Sequence, residues 1–470
     1  MNLKSISFYL SLFCFPLSIL SFINILYASY FDYFLSINSY IVTLIASIVL
    51  GSLFYLFGKK SNKKINFIDQ LILIISVYFF IGLLISIPYY LSNLKVNIIS
   101  AYFESISGLT GTGFSIFKNI KYLDPTLILW RSSSQWIGGL YFLIFLVLFF
   151  SNKNFNFKLT QLTFIGNSGS NSEENIKNNI LKIFIFYSLL SLICLILLSF
   201  SEIRLFSSLN LSMTLVSGGG FLPTDSLNDI ILSNLQKIVF SLLLILSILN
   251  FYFIFNIFSK KGLLNEHKED LYLLISAAIL TLLIFFNNFD SFDLIISILS
   301  SLANSGLTLF QTETNLDLYF LFITIIGGSL ISNSSGIKLA RLYILIKITT
   351  SEILKLISPN SIINRTIFSS TIKISDENIK ISFLVFISFF LSIFILSSLL
   401  VIDNIGFERS FKLSILTLTN TVNSQMYNLQ NLNFSTLLTS SKISLIIFMI
   451  IGKIELISIF LIIKNIFFKD

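Results

Sequence analysis

The chain has 470 residues, of which 55% are hydrophobic and 11% charged, and its mean hydropathy is +0.88. That composition excludes a soluble globular domain and makes the bilayer the solvent. The net charge of +8 is scattered over the ends of apolar segments, which excludes a nucleic-acid-binding patch.

Apolar runs of roughly 20 residues match the length needed to cross a hydrocarbon core of about 30 Å. The first is predicted at residues 7–28 and reads as an uncleaved span, because it is long and no small-x-small cleavage site follows it. A second follows at 40–57. Eight more form four pairs: 71–87 with 128–150, 180–200 with 238–258, 271–286 with 318–346, and 381–402 with 444–468. Within each pair lies a segment too short to cross, at 96–109, 205–216, 292–302 and 410–419. As a helix the first of these is about 21 Å long. The predicted fold is an all-α polytopic membrane protein. Two lead helices (residues 1–64) precede four span–half-helix–span repeats (65–152, 153–262, 263–375 and 376–470) around a pseudo-fourfold pore.

Each half-helix runs into a short polar loop. The loops are Thr110-Gly111-Thr112-Gly113, Ser217-Gly218-Gly219-Gly220, Asn304-Ser305-Gly306 and, in the fourth repeat, Asn420-Thr421-Val422-Asn423. Non-helical backbone survives at membrane depth only where it is buried in protein or faces water, so the four loops should converge on one aqueous axis. A cation filter replaces the hydration shell with carbonyl oxygens. Aiming successive carbonyls inward needs backbone angles that glycine reaches without strain. The C-terminal partial charge of each half-helix adds a favourable field for a cation. A single loop of this kind would be an ordinary helix-capping glycine; three in register point to ion conduction.

Loop charge sets the orientation. Lys59, Lys60, Lys63, Lys64, Lys153, Lys158, Lys177, Lys182, Lys260, Lys261, Lys268, Lys355, Arg365, Lys373 and Lys380 all fall on one side, which the positive-inside rule makes cytoplasmic, with both termini. Asp225, Asp229, Glu313 and Asp317 fall on the other, predicting a mildly acidic outer mouth.

The second span of the third repeat is interrupted by Gly327-Gly328-Ser329-Leu330-Ile331-Ser332-Asn333-Ser334-Ser335-Gly336-Ile337-Lys338. This tract, on the cytoplasmic side of the filter, is where a gate would sit; a kinked helix with self-bonded serines competes with that reading. Lys338 and Arg341 are charges near membrane depth, for which a functional role is the default. Lys453 and Glu455 in the last span are two residues apart and leave different helix faces. Arg131 reads as a structural anchor at the outer interface. Cys14, Cys194 and the lone His267 offer no disulfide framework, metal site or nucleophile–base pair, which argues against an intramembrane enzyme.

At Phe103 through Gly113, Trp130-Arg131 with Gln135-Trp136-Ile137-Gly138-Gly139, Gly327 through Lys338 with Arg341, Ser358-Pro359-Asn360 and Gly452-Lys453-Ile454-Glu455, the chain resembles the Trk/Ktr/HKT potassium transporter superfamily, most closely its TrkH-type subunit. The resemblance covers essentially the whole chain. It implies potassium as the transported ion bound at the filter, sometimes with sodium, and no covalent cofactor. It also implies a homodimer with one pore per protomer, a gating loop in the third repeat, and a bacterial inner-membrane location. A cytosolic TrkA-type nucleotide-binding regulatory ring would be a separate chain. Three departures stand out. The third-repeat tract is poorer in glycine than the family's, and lysine stands at 453 where the family usually has arginine. Val422 stands near the family's fourth filter glycine, and a β-branched residue resists positive φ. A sodium or weakly selective cation transporter, or a non-conducting paralogue, is the alternative.

Overall fold

The computed structural model describes residues 2–61, 65–150, 173–259, 267–284, 291–310, 315–358, 366–368 and 374–454. Glu455, Glu313, Pro359, Asn360, Lys63, Lys64, Lys153, Lys158, Lys260, Lys261, Arg365 and Lys373 lie outside the described residues.

The lead helices α1 (Leu3–Tyr30) and α2 (Phe34–Gly58) pack along one another. Several of their serines donate to carbonyls three residues back, as Ser11 does to Phe8 O and Ser47 to Leu44 O. α3 (Phe67–Leu91) opens on an Asn66/Asp69 capping box, and Asp69 also accepts the amide of Asn2 at 3.0 Å.

Four repeats follow. α3, α4 (Ile98–Thr110) and α5 (Pro125–Phe150) make the first; α6 (Glu173–Phe200), α7 (Leu205–Ser217), α8 (Asn234–Ile248) and α9 (Phe251–Ser259) the second. α10 (Lys268–Ile284), α11 (Ser291–Leu302), α12 (Asp317–Ile326) and α13 (Leu339–Ile357) make the third; α14 (Asp376–Ile402), α15 (Phe407–Leu418) and α16 (Thr439–Ile454) the fourth. The half-helices α4, α7, α11 and α15 have 13, 13, 12 and 12 residues. Their C-terminal turns are buried on every face, serines and threonines included, as expected for segments that end inside the protein. α4 packs on α3, α5 and α16, and α7 on α5, α6 and α8, so these two half-helices are walled in by longer helices. Small residues allow the closest approaches. A methyl group built on Gly138 of α5 would lie 2.0 Å from Leu109 O, and one on Gly452 of α16 would lie 2.3 Å from Leu418 O, the equivalent carbonyls of α4 and α15.

Five of the described helices are long and apolar enough to cross a membrane: Leu3–Tyr30, Ile37–Gly58, Ile68–Leu91, Ile180–Phe200 and Asp376–Ile402. A sixth candidate span is bent, which corrects the unbroken helix predicted at residues 238–258. α8 and α9 meet at 114°. The bend is imposed from the third repeat. Asn250 N donates to Asp270 Oδ1 at 2.8 Å, Phe251 N to Ile331 O at 2.8 Å, and Ile248 O accepts from Ser329 N at 3.0 Å. Each of these partners replaces a bond within the helix, so these three backbone groups stay paired across the break. The predicted break in the third repeat is present between α12 and α13.

Candidate functional site

The four half-helices end in one conformation. The residue after the helix, or one beyond, is left-handed in every repeat: Gly111 (φ 80°), Gly218 (φ 67°), Asn304 (φ 58°) and Asn420 (φ 50°). Asparagine is the non-glycine residue that visits this region most readily, so glycine and asparagine do the same backbone work here. The two asparagines add tethers. Asn304 Nδ2 donates to Thr324 O at 2.8 Å, and Asn420 Nδ2 to Met449 O at 2.9 Å and Thr112 Oγ1 at 3.0 Å. Asn420 Oδ1 accepts from Ser335 Oγ at 3.1 Å. Asn420 therefore joins the fourth loop to the first loop, to α16 and to the tract in the third repeat. The sequence places Asn420 at the start of the fourth loop but does not show that it takes the left-handed turn that Gly111 takes in the first.

Two residues further on, Gly113, Gly220, Gly306 and Val422 occupy one level. Gly113 and Gly306 have positive φ (83° and 71°), whereas Gly220 and Val422 are not among the positive-φ residues. The fourth loop thus avoids the left-handed region at Val422, as a β-branched residue demands, and the second loop avoids it at Gly220. Gly220 is small for reasons of space: a methyl on it would lie 2.6 Å from Val422 Cβ and 2.8 Å from Ser305 O. A methyl on Gly113 would lie 2.9 Å from Gly220 Cα, and one on Gly306 2.7 Å from Val422 O. Loop one thus meets two, two meets three, three meets four, and Asn420 closes four onto one. The four predicted loops form one ring.

Hydroxyl groups hold the first loops in shape. Ser107 Oγ donates to Phe114 O at 2.7 Å, and Thr214 Oγ1 to Phe221 O at 3.0 Å, while Ser300 Oγ lies 3.0 Å from Ser305 Oγ. Each hydroxyl stands six residues before the glycine; the same position in the fourth repeat is Leu416. Thr110 and Thr112 pair their hydroxyls at 2.7 Å, Thr419 and Thr421 theirs at 3.0 Å, and Ser217 Oγ donates to Thr214 O. Gly219 lies against Gln135, whose Oε1 accepts from Phe221 N at 3.2 Å. Arg131 is an anchor, as predicted, but a buried one. Its Nε donates to Glu104 Oε1 at 2.9 Å, its Nη2 to Ser115 Oγ at 3.0 Å, and its guanidinium stands 4.0 Å over the Phe221 ring. Glu104 in turn accepts from Ile116 N at 2.8 Å. One ion pair, 1% and 0% exposed, thus carries both the first and second loops.

On one side the ring opens into a 520 Å³ vestibule lined by Gly113, Gly220, Gly306, Val422 and Asn423 among others. Asn423 Nδ2 donates to Leu429 O at 3.2 Å. The predicted acidic mouth needs correction. Among the described residues the charged groups lining the vestibule are Lys118, Arg131 and Asp225. Asp225 Oδ1 accepts from Ile120 N, Asp229 closes a capping box with Ser226, and Asp317 is paired to Lys412 at 2.6 Å. These carboxylates are occupied in shaping loops.

On the other side lies the tract at 327–338, an open loop and not a kinked helix. Gly327 and Gly336 have positive φ, and Lys338 N and Ile337 N donate to Ile326 O and Ile325 O, pinning its two ends together. Gly328 N donates to Ser334 Oγ, and Ser332 Oγ lies 2.7 Å from Ser334 Oγ. Lys338 Nζ folds back onto Ser332 Oγ at 3.2 Å and Ser334 Oγ at 3.1 Å. Arg341 Nη1 donates to Ile337 O at 3.4 Å. Leu330 N donates to Glu269 Oε1 at 2.9 Å, tying the tract to α10. Asn333 Nδ2 reaches Val216 O at 2.7 Å, beneath the second loop, and its own carbonyl accepts from Lys453 Nζ at 2.9 Å. Lys453 Nζ also stands 4.7 Å over the Phe142 ring and 3.9 Å from where a methyl on Gly111 would be. The tract, Lys453 and the inner ends of two loops are therefore one contact unit. No cluster of three or more potential metal-ligating side chains occurs among the described residues.

Comparison with known proteins agrees with this architecture. The model of the TrkH family, described as cation transport protein, matches residues 36–290. An uncharacterized cation transporter of Methanocaldococcus jannaschii is 24% identical over 460 residues, covering 91% of this chain and 90% of its own. The Trk system potassium uptake protein TrkG of Escherichia coli K12 is 24% identical, with 93% and 92% covered. The crystal structure of the potassium transporter TrkH from Vibrio parahaemolyticus superposes with a TM-score of 0.87 at 18% identity, with both chains covered completely.

Proposed function

The chain belongs to the TrkH family of cation transport proteins, and from that membership we propose that it takes up potassium across the bacterial inner membrane. The ion passes along the axis of the four loops. Backbone carbonyls of Thr110 to Gly113, Ser217 to Gly220, Asn304 to Gly306 and Thr421 to Asn423 replace its water. The tract at 327–338, with Lys338, Arg341, Lys453 and Glu455, is the gate on the cytoplasmic side. The observation that carries this reading is the closed ring of four left-handed turns, each at the C-terminal end of a buried half-helix. Lys453 sets the electrostatic part: a cation held at Asn333 O beneath the loops repels the next cation until the tract moves. The lead helices lie on the lipid side, both termini are cytoplasmic, and the protein works as a homodimer with a cytosolic TrkA-type regulatory ring.

The test is rubidium uptake into a potassium-uptake-deficient host, with the protein quantified in the membrane. Uptake that saturates with external potassium is expected; none at any concentration excludes the proposal. A second reading, sodium or weakly selective cation transport, is favoured by Val422 and Leu416, which remove a glycine and a hydroxyl from one wall of the ring. Reversal potentials in mixed potassium and sodium gradients separate the two.

A further inference from the structure

We infer that Val422 is an apolar gate at the outer mouth of the pore and that the fourth loop is the part that moves to open it. This rests on the reading of the four loops as the ion path.

Level with Val422, the other three walls present only glycine hydrogens. The valine side chain faces all of them. A methyl on Gly113 would lie 3.1 Å from Val422 Cβ, one on Gly220 2.6 Å from Cβ, and one on Gly306 2.8 Å from Cγ1. Such distances mean that each glycine already touches the isopropyl group. The contact with Gly220 matters most, because the second and fourth repeats face each other across a fourfold axis. A side chain that reaches its diagonal partner and both neighbours stands on the axis itself. Val422 is also half-buried and lines the vestibule, so it forms the vestibule floor.

A cation arriving there must exchange water for carbonyl oxygen, and an isopropyl group supplies none. A hydrophobic constriction excludes water and the ion together. Side-chain rotation offers little relief, since a β-branched residue is stiff at χ1. Opening therefore needs the loop to withdraw. The fourth loop is built for that. Phe114 O and Phe221 O are held by Ser107 and Thr214, but Leu416 has no hydroxyl to hold the corresponding carbonyl of Asn423. Its tethers sit on either side of Val422, at Asn420 below and at Asn423 Nδ2 to Leu429 O above. They leave Val422 on a span that can bow outward.

The experiment is rubidium flux in proteoliposomes holding full-length wild type, Val422→Gly, Val422→Thr and Val422→Ile at equal reconstituted amounts. Val422→Gly is expected to raise flux by about tenfold or more, and Val422→Ile to lower it. Val422→Thr keeps the shape, so it is the control for folding; its hydroxyl wets the constriction, and flux between wild type and glycine is expected. Wild type and Val422→Gly conducting within about twofold of each other overturns the gate while leaving the transport reading intact. Flux at the level of protein-free vesicles in both overturns both.

Discussion

The first and fourth loops leave their half-helices alike and part company two residues later. Both begin with a left-handed residue, Gly111 or Asn420, and both pair threonine hydroxyls across it, Thr110 with Thr112 and Thr419 with Thr421. Then Gly113 turns to φ 83° with Ser107 holding the carbonyl beyond it, while Val422 keeps negative φ and has Leu416 where the hydroxyl would be. The first loop is also backed by the Glu104–Arg131 pair, whereas the fourth is backed by its own asparagines. The difference teaches that the capping turn is the invariant of this ring and the glycine two residues beyond it is not. The turn directs the half-helix; the glycine decides how much room the axis has.

Several substitutions break or sharpen that contrast. The largest effect is expected at Glu104. Glu104→Ala leaves the Arg131 guanidinium unpaired in the interior, which costs about 3–5 kcal/mol, and it should lower the thermal midpoint in detergent and abolish flux. Glu104→Gln, which keeps the acceptor for Ile116 N, should lose less. Gly113→Ala is next. Its left-handed backbone costs roughly 1–2 kcal/mol for an L side chain, and the methyl meets Gly220 2.9 Å away. Flux should fall by more than about tenfold while the protein still elutes on size exclusion where the wild type does. At the capping turn the pair Asn420→Gly and Asn420→Ala separates conformation from tethering. The alanine should cost about 1 kcal/mol more than the glycine; equal midpoints would show that the side-chain bonds to Met449 O and Thr112 outweigh the turn. The smallest effect on flux is expected for Leu416→Thr, which gives the fourth loop the hydroxyl of the other three. Leu416 is fully buried, so losing its apolar contacts should cost roughly 2–4 kcal/mol of stability, while the hydroxyl, by holding the loop, should reduce flux; unchanged flux in folded protein would mean that this carbonyl needs no support.

Much of the fold was legible because bilayer thickness forces apolar runs of a set length, and the three loop glycines marked where backbone leaves a helix at membrane depth. Asn304 and Asn420 were placed in the loops, but their left-handed turns were not readable, since left-handed asparagine carries no motif of its own. The hydroxyl six residues before each glycine was visible only in register with the other repeats. The bend at residues 249–250 could not be read, because Leu249 and Phe251 continue an apolar run. What breaks the helix is Asp270, Ser329 and Ile331 in the next repeat. The acidic mouth failed for a related reason: sequence shows which side a carboxylate is on, but not that Lys412 or a loop amide already occupies it.

The most direct measurement is rubidium efflux from proteoliposomes loaded with wild type or Gly113→Ala from parallel preparations of equal monodispersity. Efflux well above protein-free vesicles for wild type, and close to them for Gly113→Ala, is expected if ions cross at the ring of four loops. Equal efflux from the two proteins would place the path elsewhere, and none from wild type would contradict conduction altogether.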